Sequence, residues 1–402
     1  MRETVAPGQA TGGDIAGVPA APGTEGPVRS MLERARTGLG SRAVRGSLRD
    51  VVLPILAIRA GLMIFGWLAV AIFAPDMLAK SWGMWNEWDG PNFLQLAAGG
   101  YGPPTDPARI VLFPLYPATI SLGSLVMAPL LAAMLSSLLA TIAAGLGLYE
   151  LVRLDSPAGV ARASVLAMVL FPTAYALVAP YSEALFLATS IWAFVAVRRD
   201  QLALAGVLGA MAGATRIQGA FLIPALGVEY LMTRGRIDRD VFWIFFIATG
   251  PLLYLGINWL TFGDPLYFLQ VQKDVFFVQN QLPWVTVGNL WNGVVGATRD
   301  ERWVTIFITP LASLALVAVV TVWATFSKRS RPSYAVYAAI SLVSFATLSW
   351  PISVPRYILG VFPIFVAMGS WSRSTAGQSI LVASTLLLGM FATLFLMGHW
   401  AF

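Results

Sequence analysis

Residues 51–74 read VVLPILAIRAGLMIFGWLAVAIFA, twenty-four positions that include a single charge, Arg59. At 1.5 Å of rise per helical residue, such a run is long enough to cross a hydrocarbon layer of ~30 Å. Arg29, Arg34, Arg36, Arg42, Arg45 and Arg49 stand just before it. Basic residues collect on the cytoplasmic side of membrane spans, so the N-terminus is expected inside. A cleaved signal peptide is the alternative, but the run is too long, starts too late and lacks a small-residue cleavage site. Residues 1–28, rich in Gly, Pro and Ala and poor in aromatics, are expected to form a disordered cytoplasmic tail. The basic juxtamembrane segment is 29–50, and 51–402 forms the membrane domain.

Composition points the same way. Hydrophobic residues make up 57% of the 402 positions and charged ones 11%, against roughly 25% charged in a soluble domain. Nothing soluble could hide that much apolar surface. The excess of six positive charges sits in short runs between apolar stretches, so it reports orientation rather than a nucleic-acid partner. The absence of Cys excludes disulfides and thiolate zinc sites, and with His399 as the single histidine a His-assisted nucleophile is not expected.

Further apolar runs lie at about 128–152, 160–179, 181–198, 201–215, 217–233, 240–262, 303–326, 333–350, 355–371 and 376–398. The loops between them alternate in charge. Arg153 with Arg162, Arg198 with Arg199, the group Arg234, Arg236 and Arg239, then Lys328, Arg329 and Arg331, and finally Arg373 fall on the inner side. The opposite loops, 75–108, 180–183, 263–302 and 350–356, hold nine of the twenty acidic residues. Parity requires a single crossing between Ile110 and Val152, although that stretch is long enough for two. Residues 113–126 are therefore expected to dip in from outside as a re-entrant or half helix. The expectation is an all-α polytopic membrane protein of about eleven transmembrane helices. The short pair 201–215 and 217–233 places Arg216 below the outer surface, where an arginine marks a functional site.

The first outer loop, 81–117, reads SWGMWNEWDGPNFLQLAAGGYGPPTDPARIVLFPLYP. Trp82, Trp85, Trp88, Phe93 and Tyr101 are expected at the headgroup level, around Glu87 and Asp89. A carboxylate held against aromatic surface loses hydration and becomes a better base. The plainer alternative is an aromatic belt with incidental acids.

Several motifs in order resemble one family. Trp88, Asp89 and Gly90 with Asn92, Phe93, Ala97, Gly100 and Tyr101, followed by Phe113, Pro114, Leu115, Tyr116 and Pro117, resemble the first luminal loop of the PIG-V-like (GPI mannosyltransferase II) family. That family belongs to the GT-C superfamily of membrane glycosyltransferases. The further matches are Tyr181, Ser182 and Glu183 with Leu185 and Phe186; Thr215, Arg216 and Gly219; Phe262, Gly263, Asp264 and Pro265 with Phe268; and Pro355, Arg356 and Tyr357 with Pro363. Together they cover about 50–370. Gln218 stands where the family tends to have asparagine.

The resemblance implies a GT-C-like bundle that moves a sugar, mannose in the first instance, from a polyprenyl-phosphate donor to a hydroxyl of a lipid, glycan or protein acceptor on the outer face. The family's catalytic acid maps onto Asp89, with Glu87 as substitute. An inverting transfer needs one base for the acceptor proton and cations for the departing phosphate. Arg216 and Arg356 are the phosphate candidates, because guanidinium matches phosphate with two prongs; the alternative is pairing with an outer carboxylate such as Glu183. Trp88, Asn92, Tyr101, Tyr116, Glu183, Gln218, Asp264 and Lys273 are candidate supporting or substrate-binding residues. Arg59 reads as a residue snorkelling to the inner side.

No metal or cofactor is expected: Glu87 and Asp89 could share a divalent cation through their oxygens, but two acids alone make a weak site. No glycine-rich phosphate loop and no Asp-x-Asp nucleotide-sugar metal motif is expected, which disfavours a soluble nucleotide sugar as donor. The competing classes are a transporter or lipid flippase, which should carry its charges near mid-membrane between related halves, and a non-catalytic scaffold. Composition suggests a bacterial plasma membrane. Because the chain has no Cys, single cysteines report topology cleanly. Val126→Cys is expected to react with a membrane-impermeant maleimide on intact cells and Arg236→Cys only after permeabilisation; the reverse pattern would contradict the topology.

Overall fold

The computed structural model describes residues 1–3, 48–103, 105–300 and 302–401, with the side chains of residues 77 and 79–82, Trp82 among them, outside that set. The chain divides into Met1–Gly46 and Ser47–Phe402. The expected tail beyond residue 3 and almost all of the basic segment thus lie outside the described residues, and the described helices belong to the second unit.

Among the described residues the fold is all-helical, with one isolated antiparallel bridge between Asn280 and Leu348. Helix α1 (Leu53–Phe73) is followed by a 3-10 segment, Pro75–Trp85, then α2 (Asp89–Gly99), α3 (Leu115–Gly123), α4 (Pro129–Arg153) and α5 (Ala158–Val169). An irregular stretch with one 3-10 turn, Ala174–Leu177, leads to α6 (Glu183–Arg198). Helix α7 (Leu202–Thr215) turns through a 3-10 segment, Ile217–Phe221, into α8 (Leu222–Arg234), and α9 (Phe242–Phe246) into α10 (Thr249–Phe262). After α11 (Tyr267–Asp274) and α12 (Pro283–Gly296), a π-helical lead, Trp303–Ile308, opens α13 (Thr309–Phe326). The last helices are α14 (Pro332–Ala346), the single turn α15 (Val354–Tyr357), α16 (Pro363–Trp371) and α17 (Thr375–Leu396).

Four helices are long and apolar enough to cross a membrane unaided: Leu48–Phe73, Pro129–Arg153, Trp303–Phe326 and Thr375–Leu396. Two bent pairs raise the number to six if each is one span: Arg239–Phe246 with Thr249–Phe262, bent by 44°, and Val354–Gly360 with Pro363–Trp371, bent by 81°. The chain is therefore an all-helical protein of membrane-embedded character. The expected run 160–179 is not one helix. Its helix stops at Val169, because Pro172 offers no amide donor and disfavours helical backbone in the residue before it. Helix α3, nine residues or about 14 Å long, is too short to cross alone.

Burial sorts the helices. In α6, thirteen of sixteen residues are buried, so it is packed on all sides and forms the axis of the core. It packs on α4 and α7, while α5 packs on α16 and α13 on α14. Phe186, Phe194, Tyr337, Phe362 and Phe365 fill the space between them. In α1, by contrast, only Ile55, Gly66, Ala69 and Val70 are buried, as in a helix that faces lipid.

The irregular stretch 170–182 is the central structural problem, since in hydrocarbon its carbonyls would find no water. Side chains from neighbouring helices supply the donors. Ser137 donates to the Ala179 carbonyl at 3.1 Å and Thr141 to Leu177 at 3.3 Å. Arg59 reaches Leu177 at 2.9 Å, Val178 at 3.3 Å and, in α4, Met134 at 3.1 Å. Arg59 therefore does not snorkel to the inner edge: its guanidinium donates three hydrogen bonds to carbonyls within the fold. A second buried cluster lies at the far end of α6. There Arg198 pairs with Asp155, and the fully buried Glu229 takes Arg331 at 2.8 Å.

Replacing Arg59 should expose how much the irregular stretch depends on it. Arg59→Met removes the cationic donor from three carbonyls and is expected to lower stability in detergent by roughly 1–3 kcal/mol. Chemical unfolding, with the exposed Lys328→Met as control, would measure it; equal stability of the two variants would refute the role.

Candidate functional site

Asp89, Glu183, Arg216 and Arg356 all lie where helices begin, end or break. Glu183 is the first residue of α6, directly after the irregular stretch. Arg216 sits in extended backbone, φ −157° and ψ 152°, between α7 and the turn that leads to α8. Arg356 lies in α15, on the near side of the 81° bend. Asp89 opens α2. None of these positions continues the register of a long helix, so each side chain can turn inward.

They meet in one chain of charges. Oε1 of Glu183 lies 2.6 Å from Arg216 Nη1 and 3.1 Å from Arg356 Nε, and Arg356 Nη1 lies 2.7 Å from Asp89 Oδ2. Two cations and two anions balance. Glu183 is 2% exposed and Arg356 6%, whereas the Asp89 side chain is 33% exposed, so the carboxylate is the end of the chain that a ligand can reach. Arg216 also donates to Gln218 Oε1 and to Ser182 Oγ, each at 3.2 Å. The Tyr181 ring lies 5.1 Å from the Arg356 guanidinium, and Tyr357 lies 5.2 Å from that of Arg216. Burying such charges is tolerated because each is paired and both guanidiniums lie over an aromatic face. The second oxygen of Glu183, Oε2, is buried without a hydrogen bond among the described residues.

The Trp-Asp-Gly triplet has a mechanical reading. Trp88 adopts φ 57°, a conformation that costs a bulky L-residue energy, and its ring lies edge-on to Trp400 at 5.0 Å. At Gly90 a Cβ would fall 2.5 Å from Asn86 Oδ1 and 2.9 Å from Pro180 Cγ, so only glycine lets this turn touch the segment that leads to Glu183. Tyr181 closes the contact by donating its hydroxyl to the Glu87 carbonyl at 3.0 Å. The two loops are thereby locked together, and Asp89 is delivered to Arg356.

Other expected residues fall elsewhere. Asn92 reaches the Trp88 carbonyl, at 3.4 Å, bracing the first turn of α2. Tyr116 is buried between the Ala133 carbonyl, at 3.1 Å, and Ser137, at 3.0 Å, where it joins α3 to α4. Tyr101 donates to Leu112 at 2.6 Å and packs against the separate cluster of Ile110, Phe113, Tyr254 and Phe268; burial pushes its phenol up, so it remains a donor. Asp264 is used locally by Leu266 and Gln270, both at 2.8 Å, and Lys273 is exposed on α11. No ion pair or hydrogen bond joins Tyr101, Asp264 or Lys273 to the charged centre among the described residues.

Two expectations change. Trp85 is not at a membrane surface but fully buried, since Gly66 leaves room for its ring. Asp89 is met by a guanidinium rather than by aromatic surface alone. Ser182, Tyr181, Tyr357 and Trp400 were not singled out from sequence as site residues; the first three adjoin Glu183 and Arg356 in the chain, while Trp400 carried no signal. Among the described residues no three His, Cys, Asp or Glu side chains gather to hold a metal. An Asp-x-Asp triplet does occur, at 238–240, against the expectation of none, but Arg234 occupies it, at 2.8 Å from Asp238 and 2.7 Å from Asp240. A groove of about 670 Å³ lies not at the charges but between α1 and α17, lined by Ile58, Leu62, Phe65, Leu388, Gly389 and Leu394.

Glu183→Gln removes the shared anion and leaves the buried Arg356 and the part-buried Arg216 with one partly exposed carboxylate. The expected loss is about 3–5 kcal/mol of unfolding free energy in detergent, the usual cost of stripping one partner from a buried pair. Wild-type stability in that variant would show that Glu183 does not hold the centre together. No protein-family model matches the sequence, and no curated protein matches it significantly.

Proposed function

We propose that this chain is a glycosyltransferase of the outer face of a bacterial plasma membrane, with about eleven crossings arranged in a GT-C-like bundle and a PIG-V-like site. It moves a sugar, mannose in the first instance, from a polyprenyl phosphate to a hydroxyl of a lipid, glycan or protein acceptor. The observation that carries this reading is the 2.7 Å pair between Asp89 and Arg356, with Glu183 and Arg216 directly behind it.

In the resting site Arg356 is engaged by Asp89. A donor phosphate competes for the same guanidinium with its own two-pronged geometry. Its arrival draws Arg356 away and frees the Asp89 carboxylate. Asp89 then takes the proton of the acceptor hydroxyl as that oxygen bonds to the anomeric carbon. The bond from that carbon to the phosphate oxygen breaks with inversion, and the electron pair leaves with polyprenyl phosphate. Arg356 and Arg216 balance the charge that develops on the leaving phosphate. One carboxylate suffices, because a single displacement needs no covalent intermediate.

The apolar groove between α1 and α17 suits a prenyl chain. Its Leu394 precedes Phe395, whose ring lies 5.9 Å from that of Tyr181, the residue over which Arg356 sits. Tail and headgroup would thus be held on either side of one aromatic contact.

Asp89→Asn preserves shape but not basicity. It is expected to reduce transfer from a polyprenyl-phosphate mannose in proteoliposomes by about 10²-fold or more, while expression is kept and the loss of unfolding free energy is smaller than for Glu183→Gln, because Arg356 keeps its pairing with Glu183. Full transfer by a well-folded Asp89→Asn protein would end the proposal.

A further inference from the structure

Helix α12, PWVTVGNLWNGVVG, carries no charge over fourteen residues. Charges flank it: Lys273 and Asp274 before it, Arg299, Asp300 and Arg302 after it. At about 21 Å it is too short to cross a hydrocarbon layer of ~30 Å. It is also not free in orientation. Thr286 is buried and donates to the Leu348 carbonyl at 3.0 Å, and a Cβ at Gly293 would fall 2.1 Å from the Phe307 ring. The Trp303 indole donates to the Val294 carbonyl at 2.9 Å, which closes α12 against the lead of the span Trp303–Phe326.

With that face committed, the other is fixed as well. Trp284, Val287, Trp291 and Val295 recur at helical spacing and form one stripe. Trp284 is 68% exposed, Trp291 58% and Val295 71%. The preceding turn adds Phe277, exposed and held at φ 57° by ties to the segment before Arg356: Gln281 N to the Thr347 carbonyl at 2.7 Å and Ser349 N to the Gln279 carbonyl at 2.8 Å.

We propose that this stripe lies in membrane lipid, at the boundary between headgroups and acyl chains, and that α12 is an interfacial anchor rather than a solvated loop helix. Three observations select lipid as the occupant. The stripe has no charge within it, its two tryptophans are the residue type favoured at that boundary, and α12 is seated directly on the end of a membrane-spanning helix, so its outer face continues the lipid-facing surface. The anchor also has a target within the fold. Through Thr286, Gln281 and Ser349 it grips residues 347–349, the segment that runs on to Arg356. The lipid surface thus helps to fix where that guanidinium stands. This inference does not rest on the reading of the charged centre.

Nitroxide labels on Trp291→Cys and Val295→Cys, in the full chain reconstituted into phosphatidylcholine–phosphatidylglycerol vesicles, test it through collisions with oxygen and with a nickel chelate. Oxygen collisions are expected to exceed chelate collisions several-fold at both positions, with the opposite ratio at Lys273→Cys. Chelate access equal to that at position 273 would place the stripe in water and overturn the proposal. Low access to both reagents would mean a protein cover, such as a second copy, and would overturn it too. Val287→Cys replaces Trp291→Cys if loss of the indole disturbs folding.

Discussion

A single buried oxygen, Oε1 of Glu183, forms ion pairs with both Arg216, at 2.6 Å, and Arg356, at 3.1 Å. In a low-dielectric interior neither guanidinium could remain without it, and its own burial is tolerable only because both are present. The arrangement is therefore all-or-none. Arg356 also pairs with Asp89, at 2.7 Å. A partly exposed carboxylate from the beginning of the membrane domain is thereby held against an arginine from near its end.

The same centre explains the broken helices. A continuous helix would turn most of its polar side chains along fixed registers, whereas an interruption lets the chain aim one residue inward. Interruptions are costly where water is absent, and this fold meets the cost with Arg59, Ser137 and Thr141 on the carbonyls of 177–179. Thr173 adds a bond to the Pro355 carbonyl at 3.0 Å, so the irregular stretch before Glu183 and the turn that bears Arg356 are tied directly. Structural polar groups and candidate functional ones thus form one connected system, and the glycine at 90 allows the first loop to join it.

Lipid acts as a third structural partner. The outward surface of α1 and the apolar stripe of α12 are stable only against hydrocarbon, while the charged centre is stable only away from it. Because α12 is bonded to residues 347–349, position relative to the lipid and position of Arg356 are coupled through a short stretch of chain.

Membrane character and helical class were legible in the sequence, because apolar runs of about twenty residues and the sparse placement of charge are one-dimensional properties. The candidate charges were legible for the same reason: Asp89, Glu183, Arg216 and Arg356 stand out as ionisable groups beside apolar runs. The break at Arg216 was legible as well, but the one at Pro172 was not, since whether a proline ends a helix depends on which neighbours receive the freed backbone groups. Hydropathy likewise could not tell a tryptophan at a surface from one in the core; Trp85 is buried because Gly66, on another helix, makes room for it. Arg59 looked like an inner-edge residue until the carbonyls it reaches were brought beside it. Sequence alone determined which residues carry charge and that the chain belongs in lipid. Only the tertiary structure decided which charges meet, because pairing between residues so far apart in the chain is set by packing, not by spacing.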